Sequence, residues 1–409
     1  MRLMLLTVAM LGLALPSYAQ VAIRRVEGDA PPGTIEIRGV GAGDFRPESW
    51  EAGTLNFNFD ARAPLLTPRE GEYRNIYAPS AVREDDGWRI YYGAWDGVET
   101  PNDRIYVTST SDFLDFGERR MVIDHGVFIH VCNCCAIKLP DGAYRMMCTA
   151  YPHREGGLNR PAGFTSADGL HWDWELPHVA DYDDLVAIEG YENWEDADIN
   201  GVNAILYEDG VYRLYFLDWH NPGHIYRASS TDFETFVNDG PVYDGTLAVN
   251  DVRRFDLNDE TWYLLAAHLN GDTMWYALSR DGMNFDPAHV LTHNQSADDR
   301  YMVAVGWVTD ENRVLGFLYG AGAESHLAAN RIFAKWLQKK VVFCANDGRV
   351  FNEAAAHGPD ALRLKVPEGE LTGRFRVFAE DGVTPLAESE SLAIEAGQCW
   401  RVAGGDGAG

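Results

Sequence analysis

One short turn recurs along this chain and limits the folds that the chain can adopt. The stretch 166–172, SADGLHW, has counterparts at 110–116, 230–236 and 279–285, which read TSDFLDF, STDFETF and SRDGMNF. Each copy has a small or hydroxyl residue, an aspartate two positions later, then Gly or Phe, and an aromatic residue four positions after the aspartate. Repeats spaced by about fifty to sixty residues indicate stacked supersecondary units.

The segments before each turn supply the rest of a repeated unit. They are short and rich in Val, Ile, Tyr and Phe, as in GWRIYYGAW, AYRMMCTAY and VYRLYFLDW, and Asp-Gly turns join several of them. This pattern predicts an all-β fold, with antiparallel sheets arranged as the blades of a five-bladed β-propeller. The segment 63–68, APLLTP, is expected to complete the fifth blade, because a strand from the start of the chain would close the ring and cover its open edge.

The two ends of the chain differ from the repeat. A basic residue, an apolar run and small residues over 1–19 are typical of a secretory signal peptide, so we expect a secreted or periplasmic protein. The propeller is predicted over 20–345 and a small β-sandwich-like accessory domain over 346–409. No later apolar run reaches the length that a membrane span requires.

Composition narrows the choice of partner. A formal net charge of -28 argues against binding to nucleic acid or to anionic lipid, which would repel this surface. Aromatic residues make up 12% of the chain and include twelve tryptophans, whose flat rings with a polar edge suit stacking on sugars. We therefore predict a carbohydrate partner and no nucleic acid.

The six cysteines all follow the predicted signal peptide, and export would permit disulfides. If Asp141-Gly142 forms a two-residue turn, Cys135 faces Cys148 across the two strands. Cys344 and Cys399 are a second pair, which would tie the last blade to the tail. A four-cysteine zinc site is disfavoured because the chain has no paired CxxC spacing.

In a propeller, the starts of the first strands and the ends of the second strands meet at one face around a central funnel. Aligning the blades on Trp88-Arg89, Tyr144-Arg145 and Tyr212-Arg213 predicts a set of polar and aromatic side chains there. The set comprises Trp95, Tyr151 and Trp219 at one equivalent position, Asp96, His153, Asp218, His220 and His268 beside them, and Asn75, His130, Asp198, Asn133, Asn200 and Asp251 at the first strands. Amides and carboxylates that bind vicinal hydroxyls, together with rings that stack on C–H faces, predict a polyol ligand.

At YAPSAVREDDGWRIYYGAW and NGVNAILYEDGVYRLYF, with the Ser-x-Asp-Gly corners, the chain resembles the five-bladed β-propeller glycoside hydrolases of the arabinanase, xylosidase and fructosidase superfamily, over roughly residues 54–345. The resemblance implies cleavage of glycosidic bonds, often of furanosides, by a pair of carboxyl groups in the funnel. In the arabinanase branch a third carboxylate tunes the acid. The family's three carboxylate positions fall here at Ala78, at Cys135 and near Asn200, and these residues cannot do that chemistry.

The catalytic groups are therefore expected at other funnel positions. A glycosidase needs one group to protonate the leaving oxygen and another to activate water or attack carbon. We predict Asp198 as one partner, Asp96 or Asp218 as the other, and a histidine, such as His220, as acid or orienting group. Substrate binding is assigned to Trp95, Asn133, Tyr151, His153, Asn200, Trp219, Asp251 and His268. The acidic insert before the third blade adds Glu192 and Glu195 as further candidates.

This chemistry requires no cofactor, although His153, His220 and His268 on successive blades, or aspartates at the ring's centre, are candidates to hold a divalent cation such as zinc or calcium. The leading prediction is an exported glycoside hydrolase that acts on chain ends. A polysaccharide lyase acting on a uronate-containing glycan is an alternative, with Arg74, Arg104, Arg160 and His153 as its groups. A non-catalytic glycan-binding propeller is another, favoured by the missing motif carboxylates.

Overall fold

A computed structural model of the protein describes residues 23–70, 74–153, 157–173, 185–192, 194–257 and 259–403. The predicted signal peptide lies outside these residues. None of the helices in the described parts of the chain is long and apolar enough to cross a membrane.

The described chain opens with two strands, a short helix and a third strand, namely β1 (Ile23–Asp29), β2 (Thr34–Arg38), α1 (Pro47–Glu51) and β3 (Phe57–Phe59). Pro47 lies in the first turn of α1, where the missing N–H of proline removes no helical hydrogen bond.

Five sheets then follow one another, and within each sheet successive antiparallel strands pair in chain order. The first two sheets contain β4 (Ile76–Glu84), β5 (Gly87–Ala94), β6 (Arg104–Thr110), β7 (Arg120–Ile123), β8 (His130–Lys138), β9 (Tyr144–Tyr151) and β10 (Arg160–Ser166). The third contains β11 (Ala187–Glu189), β12 (Ala204–Glu208), β13 (Val211–Leu217), β14 (His224–Ser230) and β15 (Thr235–Asp244), with β11 added parallel to β15. The last two contain β16 (Ala248–Leu257), β17 (Glu260–His268), β18 (Thr273–Ser279), β19 (His289–His293), β20 (Tyr301–Asp310), β21 (Arg313–Gly322) and β22 (Arg331–Leu337).

The first strands of these sheets contact one another in a closed cycle, in the order β4, β8, β12, β16, β20 and back to β4. The strand β3 pairs with β22 and completes the fifth sheet. The segment 63–68 does not form that strand, since Leu66 makes an isolated bridge to Ile332. The all-β, propeller-type fold predicted from the repeat is thus confirmed.

The recurrent turn is a corner that its own side chains stabilise. Ser166 Oγ accepts the N–H groups of Asp168 and Gly169, and the Asp168 carboxylate accepts the next two. The residue after each aspartate has φ between 61° and 73°, which glycine adopts freely and phenylalanine only with strain. Tyr91 of the first sheet donates its hydroxyl to the Gly169 carbonyl at 2.8 Å, so the corner also ties neighbouring sheets together. The same serine and aspartate contacts recur at Ser230 with Asp232 and at Ser279 with Asp281.

Strands from both ends of the described part of the chain form a second, sandwich-like unit. Its remaining strands are β23 (Lys340–Ala345), β24 (Val350–Phe351), β25 (Ala354–Ala356), β26 (Ala361–Lys365), β27 (Leu371–Phe378), β28 (Pro385–Glu388), β29 (Leu392–Ile394) and β30 (Gln398–Val402). One sheet has the order β1-β30-β2-β26-β25, and the other is built on β23 and β27. Ile35, Phe343, Phe375 and Trp400 share one apolar core. The predicted boundary at residue 345 does not match this pairing, because β1, β2 and β23 pack their apolar faces into the sandwich.

The two predicted disulfides are wrong, since all six cysteines are free thiols. A bulge at Asn133-Cys134 shifts the register, so that Cys135 lies opposite Met147 rather than Cys148. Cys344 and Cys399 lie on different sheets of the sandwich.

Candidate funnel site

Bulges interrupt the first strands of four sheets at equivalent positions. The register shifts between Tyr77 and Ser80, between Cys132 and Cys135, and at the matching places in β16 and β20. Ala78 and Asn133, which lie in two of these bulges, have φ of 48° and 56°. A bulge locally disrupts pairing and re-aims side chains, so these positions break the in-out alternation of the sheet near the start of each first strand.

Three junctions between neighbouring sheets share one arrangement, which we call the clasp. In each, the Asp or Asn just before a third strand contacts a residue that lies at or before the start of the first strand of the next sheet in the ring. The three pairs are Asp103 with His130, Asn159 with Asp198, and Asn330 with Asn75. An arginine follows each time and binds main-chain carbonyl groups, namely Arg104, Arg160 and Arg331. The clasps therefore anchor the rim of the funnel.

Asp103 belongs to the first clasp, and its buried side chain keeps 10% of its surface exposed. Its main-chain N–H donates to His130 Nδ1 at 2.9 Å, Asn75 Nδ2 lies 3.3 Å from both carboxyl oxygens, and the Tyr77 hydroxyl donates to Oδ2 at 3.3 Å. Burial raises the pKa of Asp103 to about 7, and the hydrogen bonds from Asn75 and Tyr77 and the charge of Arg104 oppose this rise only in part. A carboxyl group with that pKa holds a proton part of the time near neutral pH, as a general acid must.

His130 presents a fixed donor beside Asp103. Its Nδ1 accepts the main-chain N–H of Asp103, so the proton of the neutral ring is on Nε2. Burial lowers the pKa of His130, and the nearby His125, His153 and Arg104 lower it further. The imidazole is 28% exposed, which leaves the Nε2 edge available to a ligand hydroxyl.

Tyr151 lies between the first two clasps. Its ring is 5.4 Å from that of His130, and its hydroxyl accepts from Asn133 Nδ2 at 3.2 Å and donates to Asn200 Oδ1. Burial raises the pKa of Tyr151 well above its ordinary value, and the charges of Cys132, Asp103 and Asp198 add to the rise. The charges of both aspartates therefore act on the same phenol.

Asp198 is held differently. Its Oδ1 accepts the N–H and Nδ2 of Asn159 at 2.9 and 2.8 Å, whereas its Oδ2 has no protein partner among the described residues. The main-chain N–H of Asp198 donates to Asp218, which is buried and also accepts from Tyr191 and from the His220 N–H. Asp218 thus positions Asp198 and has little exposed surface of its own for a substrate.

The two tryptophans predicted to stack on sugar differ in exposure. The guanidinium of Arg74 lies 5.1 Å above the ring of Trp95 and covers it. Trp219 is 37% exposed, and its indole N–H donates to the Asn200 carbonyl at 3.0 Å. Because its main-chain N–H also bonds to the Asp198 carbonyl at 2.9 Å, Trp219 is a fixed ring beside a carboxylate.

Other predicted residues are held by partners of their own. Asp96 has no exposed surface and pairs with Arg69 at 2.9 Å and Arg119 at 3.3 Å, so it does not open into the funnel as expected. Asp251 is buried at the centre of the ring against Arg253. His268 is buried between the amide oxygens of Asn250 and Asn270, at 2.9 Å from each, and burial lowers its pKa to about 4.

The remaining predicted groups lie at the rim. His153 is exposed, with its ring 6.4 Å from that of His125, and His220 Nδ1 donates to the Asp196 carbonyl, leaving Nε2 as an acceptor. Glu192 and Glu195 are exposed. Within the described residues, no group of three or more His, Cys, Asp or Glu side chains is placed to hold a metal ion.

Asp103 was missed from the sequence, although a signal for it exists. The dipeptides at 103–104, 159–160 and 330–331 read Asp-Arg, Asn-Arg and Asn-Arg at the same place in three units. Asp103 is an acid where the two equivalent residues, Asn159 and Asn330, are amides, and this difference singles out the first clasp.

No known protein family is matched by the sequence as a whole, and no curated protein matches it. Solved structures do match. One of them carries the description that the GH130 family of mannoside phosphorylases contains glycoside hydrolases that target β-1,2 mannosidic linkages in Candida mannan. Its sequence is 12% identical to this chain, and its TM-score is 0.50 over 69% of this chain and 93% of that chain. The chain shares the fold of glycoside hydrolases. A candidate glycosidase from Bacteroides thetaiotaomicron is 13% identical with a TM-score of 0.50, over 72% of this chain and 98% of that one. A structure named only as a glycoside hydrolase is 13% identical with a TM-score of 0.51, over 70% and 93%.

Proposed function

We propose that the protein cleaves glycosidic bonds in the funnel, with Asp103 as the proton donor and Asp198 as the second carboxyl group. The observation that carries the proposal is the contrast between these two groups on successive clasps. Burial raises the pKa of Asp103 to about 7, whereas Asp198 is half-buried and keeps one carboxyl oxygen free. Glycoside hydrolysis requires one protonated and one ionised carboxyl group on either side of the scissile bond.

In this reaction, the protonated Asp103 carboxyl donates its proton to the leaving glycosidic oxygen. Asp198 Oδ2 activates a water molecule or attacks the anomeric carbon. The Nε2–H of His130 and the amides of Asn133 and Asn200 bind sugar hydroxyls, while Trp219 stacks on a C–H face. Tyr151 keeps its proton, because its pKa is raised, and it holds the two asparagine side chains in place.

We extend the proposal to an exported enzyme that removes residues from the ends of a poly- or oligosaccharide, with a furanoside as the favoured substrate. The sequence pattern over 1–19 supports export, and the resemblance of the repeats to the furanosidase superfamily supports the sugar class. Protein side chains alone supply the proton and the attacking group. Activity is therefore expected to persist after treatment with EDTA, and a loss that added calcium or zinc restores would identify a metal requirement.

The alternative uronate lyase has less support. Arg104 and Arg160 donate to main-chain carbonyl groups, and so are already engaged rather than free to neutralise a uronate carboxylate. The raised pKa of Tyr151 disfavours the phenolate that a tyrosine base would need.

A substrate panel tests the proposal. The protein without residues 1–19 is incubated with arabinans, fructans, xylans and uronate-containing polysaccharides, and the products are followed by NMR and by ultraviolet absorbance. The D103N/D198N double variant is the control for contaminating activity. Saturated sugars released only by the wild-type protein support hydrolysis. Unsaturated products would indicate a lyase, and binding without any product would indicate a glycan-binding propeller.

A further inference from the structure

Arg253 links two sheets that are not neighbours in the ring. It lies on β16 of the fourth sheet, and its Nη2 donates to the Ala81 carbonyl on β4 of the first sheet at 3.2 Å. These two sheets are not neighbours in the cycle, so the side chain crosses the channel axis. Nε and Nη2 also bind Asp251 Oδ2, at 3.2 and 3.0 Å, and Asp251 in turn accepts the N–H of Trp307 on β20.

One nitrogen of this guanidinium remains available. Nη1 of Arg253 has no protein hydrogen-bond partner among the described residues, and it is not among the buried polar atoms that lack one. This nitrogen therefore retains some solvent-accessible surface. The side chain is 17% exposed, and the buried Asp251 holds it in one position.

A cavity of about 480 Å³ opens at this point. Its lining comes from the far ends of the first strands and from the turns that follow them. It contains the four cationic side chains of Arg83, Lys138, Arg253 and Arg254, one acidic side chain, Glu311, and apolar or aromatic groups that include Ile137, Leu206 and Tyr207. Each of these cations has a carboxylate partner outside the lining, namely Asp310 for Arg83, Glu84 for Lys138, Asp251 for Arg253, and Glu208, Asp209 and Asp256 for Arg254.

An excess of cationic over acidic side chains in a cavity lining is unusual for this molecule. The whole chain has 34 Lys and Arg against 62 Asp and Glu. A second cavity on the same face, of about 970 Å³, is lined by five acidic side chains and by only two arginines, Arg89 and Arg120. The side chains that line the two cavities therefore differ in the sign of their net charge, and the lining with an excess of cations includes Arg253.

We propose that the cavity around Arg253 is a binding site for a small oxyanion, of the carboxylate or phosphate type. The Arg253 Nη1 edge donates to the anion, and Lys138, whose ammonium group has one carboxylate partner and is 31% exposed, supplies a second charge. The apolar strip with Tyr207 accommodates the carbon skeleton that carries the anionic group. This site is separate from the funnel, because none of the funnel residues described above lines the cavity.

Calorimetric titration at low ionic strength tests the site, with inorganic phosphate and D-glucuronate as the two probes. We expect saturable binding of at least one probe, weakened by about tenfold in R253K, which keeps the charge that faces Asp251 but loses the forked donor. K138Q should weaken binding severalfold. R120Q, which removes a cation from the acidic cavity, is the matched control and should bind like the wild type.

The two probes distinguish the source of the anion, since phosphate alone identifies a phosphate-type ligand and glucuronate alone a carboxylate. The proposal is overturned if neither probe saturates, if R253K and K138Q both bind as the wild type does, or if R120Q weakens binding as much as they do. Circular dichroism checks that each variant is folded, and K138Q decides the question if R253K is not.

Discussion

The clasp between the first and second sheets and the clasp between the second and third share one main-chain arrangement but hold their carboxyl groups differently. In the first clasp, Asp103 lies just before the third strand of its sheet, and its carboxyl group is buried. In the second, Asn159 takes that place, and the carboxylate of Asp198 comes from the other partner with one oxygen free. The same scaffold thus gives one carboxyl group that retains a proton near neutral pH and another that is open to a ligand.

The third clasp shows what the arrangement does without an acid. Asn330 and Asn75 join the fifth and first sheets through an amide contact at 3.4 Å, and Asn330 is fully buried. Closure of the ring therefore does not require a carboxyl group at this position. A buried acid at residue 103 lowers the stability of the fold, and a role in the reaction would explain why an acid is present there.

The largest effect is expected for D198N. Replacing the free carboxylate oxygen removes the attacking or water-activating group, so we expect kcat to fall by about 10⁴-fold with little change in KM. Steady-state kinetics on the best substrate of the panel measures this. D196N changes an exposed aspartate two positions earlier and should retain wild-type kinetics. A D198N enzyme within tenfold of wild type would remove Asp198 from the mechanism.

D103N should lower kcat by about 10²- to 10³-fold on natural linkages, because the leaving oxygen then lacks its proton donor. The loss should be much smaller for a 4-nitrophenyl glycoside, whose leaving group needs little protonation. In the wild type, activity should fall as pH rises through about 7, where Asp103 loses its proton, and this limb should be absent in D103N. Equal losses on both substrates would point to a structural defect instead.

N330D introduces a carboxyl group into the third clasp, at a fully buried position. Burial should raise the pKa of the new acid, so the folded state would hold a proton that the unfolded chain releases. The free energy of unfolding should therefore fall between pH 5 and pH 8, by about 2 to 4 kcal/mol relative to wild type. Urea denaturation at both pH values measures it. A pH-independent difference would show that the clasp site does not perturb an acid.

The smallest effect is expected at the tryptophans. W219A removes the exposed ring and should raise KM about three- to tenfold, with kcat little changed. Trp95 is covered by Arg74, so W95A is the matched control and should leave KM within about twofold of wild type. If W95A has the larger effect on KM, the sugar stacks on the first sheet rather than on the third.

The sequence revealed the repeated sheets, because the Asp corners and the alternating strands are local signals that need no knowledge of distant contacts. It did not reveal that residues 23–38 join the sandwich, since pairing of β1 with β30 joins opposite ends of the chain. The strand that completes the fifth sheet was placed a few residues too late for a similar reason. Partner choice between distant strands depends on packing that a single segment does not encode.

The candidate site was predictable only in part. Asp198, Tyr151, Asn133, Asn200 and Trp219 follow from aligning the units, and the structure brings them together. Asp96 was aligned at the end of a second strand, but Arg69 and Arg119 turn it into a buried ion pair. The Asp-Arg dipeptide at 103–104 could have pointed to Asp103, but the raised pKa of this residue comes from burial, which only the structure displays.

The unfolding free energy and the activity of D103N, measured together at pH 8, test the central claim most directly. Asp103 has a pKa of about 7 in the folded wild type, against an ordinary value of 3.8. The free energy of unfolding of the wild type should therefore decrease as pH rises from about 4 to about 7, because the buried carboxyl group loses its proton. D103N places an asparagine there, as at residues 159 and 330. The free energy of unfolding of D103N at pH 8 should therefore exceed that of the wild type by up to roughly 4 kcal/mol, while its kcat on the natural linkage falls. A variant that becomes more stable and keeps its activity, or that becomes less stable and loses it, would contradict the assignment of Asp103 as the acid.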